Sequence, residues 1–227
     1  MLLELNDVHT YYGASHILQG VSLNVEKGEI VSLLGRNGVG KTTTLRTIMG
    51  ILHPKSGRIK FGDADITKYP THRISKLGIN YVAQENPVFP DLSVRENLAI
   101  APVRLGAKNG GLEEIYEYFP LLKERRNQAA SSLSGGERRI LAFARQLRGK
   151  PDLLLLDEPF TGLSPVITGQ FAQILKKFNE GMGTSVLLVE QHATLALKLA
   201  NRCYIMTKGK ISFEGSSEEA GKSEELK

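Results

Sequence analysis

One stretch of the sequence decides the fold, and it runs Gly35-Arg36-Asn37-Gly38-Val39-Gly40-Lys41-Thr42. It matches the phosphate-binding pattern G-x-x-x-x-G-K-[ST], with the apolar run Ile30–Leu34 before it and a predicted helix over Lys41–Met49 after it. Glycines allow successive backbone N–H groups to point into one concavity, where they bind phosphate oxygens. The positive end of the helix dipole lies at the same place. The stretch therefore predicts a strand, loop and helix that bind a nucleoside triphosphate.

The side chains of this loop have separate expected partners. We expect Lys41 to reach the β- and γ-phosphates and the hydroxyl of Thr42 to coordinate Mg²⁺. A glycine-rich turn with a chance lysine is the alternative interpretation, and the strand, loop and helix in register argue against it. The nucleotide contacts predicted here come from Gly35, Arg36, Asn37, Gly38, Val39, Gly40, Lys41, Thr42 and Thr43.

Two acidic residues follow the apolar run Leu153–Leu156 directly. An acid at the carboxyl end of a parallel strand faces the crevice in which ligands of such sheets bind. Asp157 suits the role of holding Mg²⁺ and its water shell. Glu158 would then be positioned to polarise the attacking water as a general base. The alternative is a pair of solvated acids at a strand end, but a phosphate-binding loop of this kind needs such a partner acid.

Short apolar runs alternate with helical patterns along much of the chain, which predicts an α/β fold with a mostly parallel sheet. The first strands lack helices between them, so an antiparallel β part is expected beside that sheet. Helices are predicted near Lys41–Met49, Val166–Asn179 and Ala193–Ala200. The predicted strands lie near Leu2–Asn6, Val21–Val25, Ile30–Leu34, Arg58–Phe61, Gly78–Val82, Leu153–Leu156, Ser185–Val189, Cys203–Thr207 and Lys210–Phe213.

The chain is expected to form one domain over residues 1–227, built from two lobes. Residues 1–85 and 150–214 make up the α/β lobe. Residues from about 86 to 149 contain no convincing strand and predict an inserted helical lobe, with a capping box at Ser93–Glu96. The Ser/Glu/Lys-rich tail 215–227 is expected to fray.

Composition limits the possible classes of protein. Lys and Arg number 29 against 24 Asp and Glu, and no single arm collects the basic residues of this net charge of +5. A mildly basic protein is therefore a better interpretation than a nucleic-acid binder. The one cysteine, Cys203, excludes an intramolecular disulfide. Apolar runs fall far short of the ~20 residues that span a bilayer, and the first ten residues do not resemble a secretory signal.

A second phosphate-contacting motif is suggested by Leu133-Ser134-Gly135-Gly136-Glu137, just before a predicted helix over Glu137–Arg148. By itself, this segment predicts a capping box between Ser134 and Glu137. Capping and anion binding use the same free N–H groups, so both interpretations can hold. Together with the phosphate-binding loop and the acid pair, the segment resembles the signature motif of ATP-binding-cassette (ABC) ATPases. That motif usually ends in Gln where this chain has Glu137.

The resemblance covers nearly the whole chain and implies a P-loop NTPase fold with a RecA-like sheet. Tyr12 resembles the aromatic residue that stacks on adenine in this family; packing alone is the alternative role, and Tyr11 is the alternative residue. Gln84 resembles the glutamine that contacts the metal and the water. In the family, that residue also couples the site to a transmembrane subunit, which Glu85–Asp91 would face.

Two positions depart from the family pattern. In the segment from Val189 to Arg202, Gln191 rather than His192 aligns with the histidine that senses the γ-phosphate. Gln191 can donate a hydrogen bond but carries no charge. His192 could substitute through a one-residue shift, although helix spacing opposes this. Ser164 also stands where the family often has Asp, in the loop that passes signals across a dimer.

These departures resemble one branch of the family, which takes up branched-chain (hydrophobic) amino acids, amides and urea. Val-Glu-Gln191 and Gly162-Leu-Ser-Pro165 carry that likeness. The stretches Tyr11–Leu23 and Leu34–Thr44 look most similar to the urea-type members. The branch implies an ATP-hydrolysing subunit of an importer, bound at the cytoplasmic face of the membrane.

The resemblance also implies partners. ATP and Mg²⁺ would lie between the phosphate-binding loop of one subunit and the Ser134–Glu137 segment of a facing one. The facing subunit is a copy or, more in keeping with the branch, a paralogue. Permease subunits and, indirectly, a solute-binding protein complete the assembly, and nucleic acid is not expected. The alternatives are a non-transport ABC ATPase acting on ribosomes or DNA, a nucleotide kinase, and an exporter subunit.

Overall fold

The computed structural model describes residues 1–85, 88–101 and 111–223. Its strands are β1 (Leu3–Tyr12), β2 (Ser15–Val25), β3 (Ile30–Leu34), β4 (Ser56–Phe61), β5 (Ala64–Asp65), β6 (Ile79–Val82), β7 (Leu153–Asp157), β8 (Ser185–Glu190), β9 (Arg202–Thr207) and β10 (Lys210–Ser216). Its α-helices are α1 (Lys41–Ile48), α2 (Thr71–Lys76), α3 (Val94–Ala99), α4 (Leu112–Tyr118), α5 (Pro120–Glu124), α6 (Gly135–Arg148), α7 (Pro165–Met182), α8 (Ala193–Leu199) and α9 (Ser217–Lys222). A 3₁₀ turn covers Ala130–Ser132.

The central sheet has the strand order β10-β9-β3-β8-β7-β6, and only β10 at its edge pairs antiparallel. Every residue of β3, β7 and β8 is buried, which explains their continuous apolar sequences. Since β8 lies between β3 and β7, the carboxyl ends of these three strands meet at one edge of the sheet. The expected mostly parallel α/β sheet is confirmed.

Two cores cover the two faces of this sheet. Leu154 and Leu156 of β7 pack with the helices on one face. Leu153 and Leu155 of the same strand pack with β1, β2, β4 and α1 on the other face. This division follows from the two-residue period of side chains along a strand. The phosphate-binding loop and α1 are therefore held between the central sheet and a second sheet.

The second sheet is antiparallel, with the order β2-β1-β4-β5, as the sequence predicted for a flanking β part. Its strands are longer than predicted, because β1 and β2 form one hairpin that turns at Gly13, where φ is 57°. The short strand β5 was not predicted. Two residues are too few to produce a recognisable period.

A helical insertion lies between β6 and β7, as the fold class predicted. In its described part, α3, α4, α5 and α6 are joined without a sheet strand, and the one β-bridge there pairs Ser93 with Ala129. Phe143 of α6 is fully buried and packs against Phe119 and, at 4.0 Å between ring centroids, against Phe171 of α7. The insertion therefore packs on the α/β lobe through an aromatic cluster.

The expectation of a fraying tail is wrong for the part of it that the structure describes. Residues 215–216 end β10, and α9 follows with a complete capping box between Ser216 and Glu219. Ala220 of α9 is fully buried in the core that also contains Ala196 of α8. One apolar side chain in a charged segment gave too little periodicity to predict this helix. Residues 224–227 lie outside the described residues.

Among the described helices, none combines the length and the apolar character that crossing a membrane requires.

Candidate active site

The phosphate-binding loop has a backbone that only glycine fits well. Gly35 follows β3 with φ at 155°, and a Cβ there would lie 2.5 Å from the carbonyl oxygen of Met206. Gly40 has φ at 117° and stands immediately before the first residue of α1. The loop therefore closes tightly on β9 and directs the first turn of α1 at the concavity.

The amine of Lys41 lies inside this loop, and its side chain is 4% exposed. The Nζ atom donates to the carbonyl oxygens of Gly35 at 2.8 Å and of Arg36 at 3.1 Å. It also lies 3.4 Å from Oε1 of Glu158. A buried ammonium with three oxygen partners is a fixed positive charge at the mouth of the concavity, and this is what anionic phosphates require.

Asp157 is held by hydroxyl groups from two directions. Thr42 Oγ1 donates to Oδ1 at 2.9 Å, and Tyr81 Oη donates to Oδ2 at 2.9 Å. Burial raises the pKa of the Asp157 carboxyl, although both hydrogen bonds oppose that shift. Burial, followed by the Asp157 charge, raises the pKa of the Tyr81 phenol, so Tyr81 remains a proton donor.

Tyr81 was not predicted to belong to the site. Its only sequence signal was its place in β6, one residue before the end of the strand that pairs with β7. A side chain on the strand adjacent to a strand-end acid is a general candidate for holding that acid.

Glu158 adopts a left-handed backbone conformation with φ at 47°, and its N–H donates to the carbonyl oxygen of Val189. A non-glycine residue in this region costs on the order of 1–3 kcal/mol, so the surrounding structure must hold it there. Gln84 Nε2 donates to Oε2 at 3.1 Å, while Lys41 Nζ is near Oε1. The carboxylate of Glu158 is thereby fixed at both oxygens.

A cavity of about 420 Å³ is lined by Lys41, Gln84 and Glu158 among others, while Asp157 is not among its described lining residues. Tyr12 lines it at the end of β1, with Oη 3.3 Å from Arg46 Nη1. Tyr11 is not among the described lining residues, and its ring instead stacks on His16 at 4.2 Å between centroids. The described lining comprises Tyr12, Ile17, Asn37, Gly38, Gly40, Lys41, Thr42, Thr43, Gln84 and Glu158. Its size and its combination of one aromatic ring with a phosphate-binding loop suit a nucleotide.

The segment Ser134–Glu137 is not brought to this cavity within one chain. Ser134 caps the start of α6 with the predicted capping box, and Glu137 also pairs with Arg125 at 3.0 Å. A Cβ on Gly136 would lie 3.0 Å from the Ile167 side chain of α7, so that side chain would have to shift by a few tenths of an ångström. Ser134 and Gly135 are exposed to solvent, and no member of the segment is among the described lining residues.

Gln191 and His192 are likewise exposed and absent from the described lining of the cavity. The structure therefore does not choose between them. Glu190, which precedes them, is 1% exposed and accepts from the backbone N–H groups of Phe160 at 3.3 Å and Gln191 at 3.2 Å. Burial raises the pKa of this carboxyl. Glu190 was missed in the sequence, where a glutamate ending an apolar run gave no sign of burial.

The donor atoms present fit Mg²⁺. The described residues contain no cluster of three or more His, Cys, Asp or Glu side chains that would hold a metal ion by itself. The Thr42 hydroxyl and the Asp157 carboxylate instead offer two hard oxygen donors 2.9 Å apart beside the phosphate-binding loop. Mg²⁺ commonly takes a few protein oxygens and completes its shell with phosphate oxygens and water.

The chain has extensive similarity to known proteins. The sequence profile of the family described as "ABC transporter" matches residues 18–161. The high-affinity branched-chain amino acid transport ATP-binding protein BraG of Pseudomonas aeruginosa is 42% identical over 92% of this chain and 91% of its own length. The lipopolysaccharide export system ATP-binding protein LptB of Escherichia coli K12 is 36% identical over 95% of this chain and 91% of its own.

Solved structures give the same result for the fold. A nucleotide-free ATP-binding cassette from an ABC transporter aligns with a TM-score of 0.86 at 26% identity, over 97% of this chain and 93% of the other. A cassette dimer in a post-hydrolysis state, bound to ADP and phosphate, aligns with a TM-score of 0.83 at 26% identity, over 95% of this chain and 99% of the other.

Proposed function

The chain belongs to the ABC transporter family and has its ATPase fold, and from this premise we propose that it is the ATP-hydrolysing subunit of an importer of branched-chain amino acids. The similarity to BraG, at 42% identity over 92% of the chain, is the observation that carries the proposal. The subunit would act at the cytoplasmic face of the membrane. Urea or short amides are the alternative solutes, because the stretches around Tyr12 and Lys41 resemble urea-type members.

ATP is proposed to bind in the 420 Å³ cavity. Backbone N–H groups of Gly38, Gly40 and Lys41 and the ammonium of Lys41 would hold the phosphates, with adenine against Tyr12. Thr42 and Asp157 would hold Mg²⁺, which supplies charge neutralisation at the β- and γ-phosphates when it is bound. Tyr81 would keep the Asp157 carboxylate in position through its 2.9 Å hydrogen bond.

Glu158 is proposed as the general base. Its carboxylate would accept a proton from water while the water oxygen attacks the γ-phosphorus and ADP leaves. Gln84 and Lys41 hold the two carboxylate oxygens, so the base is oriented before the water arrives. Gln84 would also contact the metal and the water. The neighbouring residues Glu85–Asp91, of which 86 and 87 lie outside the described residues, would face the permease.

A second ATPase subunit is proposed to complete each site. The Ser134–Glu137 segment is not among the described lining of the cavity of its own chain. Ser134 and Gly135 are exposed at the start of α6, where a helix N-terminus suits an anion from another chain. The facing subunit is a copy or a paralogue of this chain. Gln191, with His192 as the alternative, would sense the γ-phosphate across from Glu158. Permease subunits and, through them, a solute-binding protein would complete the importer without nucleic acid.

Export is the second candidate, because the similarity to LptB extends over 95% of the chain. The experiment that decides is a pull-down of the tagged protein from gently solubilised native membranes, with every co-purifying chain identified. Two permeases, a second ATPase and a solute-binding protein that binds a branched-chain amino acid would support the proposal. Recovery with lipopolysaccharide-export components would favour export, and recovery with ribosomes or DNA would overturn the transport function.

A further inference from the structure

Asn97 lies on α3, and its side-chain amide is fully buried. The hydrogen bonds described for this side chain all join it to one loop, residues 88–93. Its Oδ1 accepts from the Phe89 N–H at 2.8 Å. Its Nδ2 donates to the carbonyl oxygens of Phe89 at 2.9 Å, Leu92 at 3.2 Å and Ser93 at 3.0 Å. Two amide hydrogens are thus shared among three carbonyls, so the donor capacity of this side chain is fully used.

The loop that Asn97 holds, residues 88–93, also pairs with residues 126–131. The Ala130 N–H donates to Leu92 O at 2.9 Å, and the Ser131 N–H donates to Pro90 O at 3.0 Å. A β-bridge joins Ser93 to Ala129. Residues 126–131 lead directly into the Ser134–Glu137 segment, so the loop and that segment are connected by a short run of backbone hydrogen bonds.

Phe89 is the exposed apolar residue of this loop, with 47% of its surface open to solvent. Asn97 holds both its N–H and its carbonyl group. Its ring lies 5.3 Å from the guanidinium of Arg145 on α6, the helix that begins after Ser134. The backbone of Phe89 is therefore attached to α3 through Asn97. Its ring contacts α6, the helix that Ser134 caps.

We propose that Asn97 is a positioning residue that couples the Phe89 loop to the Ser134–Glu137 segment of the same chain. The inference rests on the proposed function, in which the loop after Gln84 contacts a permease. Force applied at Phe89 passes through the Asn97 amide and the 90–92 to 130–131 hydrogen bonds to the start of α6. The contact between permease and Phe89 thereby sets the position of the N–H groups that meet the nucleotide of the facing subunit.

The test uses Asn97→Asp and Asn97→Ser. The first keeps an acceptor for the Phe89 N–H and loses the amide donors; the second is smaller and keeps the protein testable if the first does not fold. Asn179→Ser is the matched control, because Asn179 also donates two bonds to carbonyl groups, those of Gly28 and Thr184, but lies away from the loop. Each variant is purified alone and within the complex recovered with its permeases, and its melting temperature is measured.

We expect the Asn97 variants to keep their basal ATPase activity and to lose its stimulation by the permeases. The isolated Asn97 variants keep kcat and KM for ATP within about twofold of wild type, while stimulation by the permeases falls about tenfold or more. Backbone amide exchange in the isolated variants becomes faster in both 88–93 and 130–134. The Asn179→Ser control changes neither the stimulation by the permeases nor the amide exchange of these two segments.

Three results would overturn the coupling by Asn97. These are intact stimulation, an equal loss of basal and stimulated activity, or faster exchange in 88–93 alone. If wild-type protein is recovered with no permease, the proposed function fails instead. The exchange comparison then still decides whether Asn97 links the two segments.

Discussion

The hydroxyl of Thr42 lies 2.9 Å from Oδ1 of Asp157, although the two residues are 115 positions apart in the chain. Thr42 lies in the first turn of α1 beside the phosphate-binding loop, and Asp157 ends β7. The strand order β3-β8-β7 brings the two together at one edge of the central sheet. The proposed metal position therefore depends on the pairing of three buried strands as much as on the two ligand residues themselves.

Replacement of Glu158 by Gln should remove nearly all turnover while MgATP binding is kept. The amide retains the shape and the contacts with Gln84 but cannot accept the proton of water, so kcat should fall about 100-fold or more. The variant should also accumulate as an ATP-bound dimer, measurable by size-exclusion chromatography with and without ATP. Glu180→Gln, on the exposed side of α7, is the control. Unimpaired turnover in Glu158→Gln would exclude this residue as the base.

Replacement of Lys41 by Ala should weaken nucleotide binding. The change removes a buried ammonium that no other described lining residue of the cavity can replace, so the dissociation constant for ATP should rise about tenfold or more. Titration calorimetry with ATP measures it, and Lys177→Ala on the exposed face of α7 provides the comparison. Equal affinity in the two variants would contradict the assignment of the phosphate-binding loop.

Gln191→Ala and His192→Ala together decide which residue senses the γ-phosphate. Because Gln191 directly follows the buried end of β8, we expect its loss to reduce kcat about tenfold and the loss of His192 to have a smaller effect. Steady-state ATPase measurements on both variants at saturating ATP give the comparison. The reverse order of effects would show that the alignment is shifted by one residue.

Glu190 should make the stability of the nucleotide-free protein depend on pH. Burial raises the pKa of the Glu190 carboxyl in the folded state above the ordinary value of 4.5. Between pH 4.5 and the folded-state pKa, the folded protein therefore binds more protons than the unfolded protein. The free energy of unfolding should then decrease as the pH rises through the folded-state pKa. Urea titrations from about pH 5 to about pH 8 should show a smaller decrease for Glu190→Gln than for wild type. An identical pH dependence in the two proteins would mean that Glu190 does not carry this charge penalty.

The sequence predicted those parts of the fold that rest on local patterns. The strand, loop and helix around Lys41 form one continuous motif, and the apolar runs that end at Leu156 and Val189 are typical of strands buried on both faces. The capping box at the start of α6 was predictable because Ser134 and Glu137 stand three residues apart. The likeness of this segment to the ABC signature came from family resemblance. Each of these signals depends on residues close together in the chain.

The remaining features depend on contacts between distant segments. Tyr81 donates to Asp157 from an adjacent strand, and Glu190 accepts from the backbone N–H of Phe160. Asn97 accepts from the N–H of Phe89, in the loop that precedes its own helix. Tyr81 and Asn97 belong to no motif quoted from the sequence, and Glu190 entered only as part of the Val-Glu-Gln191 likeness, which gave no sign of its burial. The helix α9 was missed for a related reason, since its stability comes from the burial of Ala220 in the core around α8.

ATP-driven uptake by the complex recovered with its permeases, reconstituted in liposomes with the solute-binding protein, tests the central claim most directly. With ATP on the side of the ATPase subunits, the account predicts accumulation of a labelled branched-chain amino acid by the wild-type complex and none by the Glu158→Gln complex. Hydrolysis of ATP by the wild-type complex without any movement of solute into the liposomes, or equal uptake by the two complexes, would contradict it.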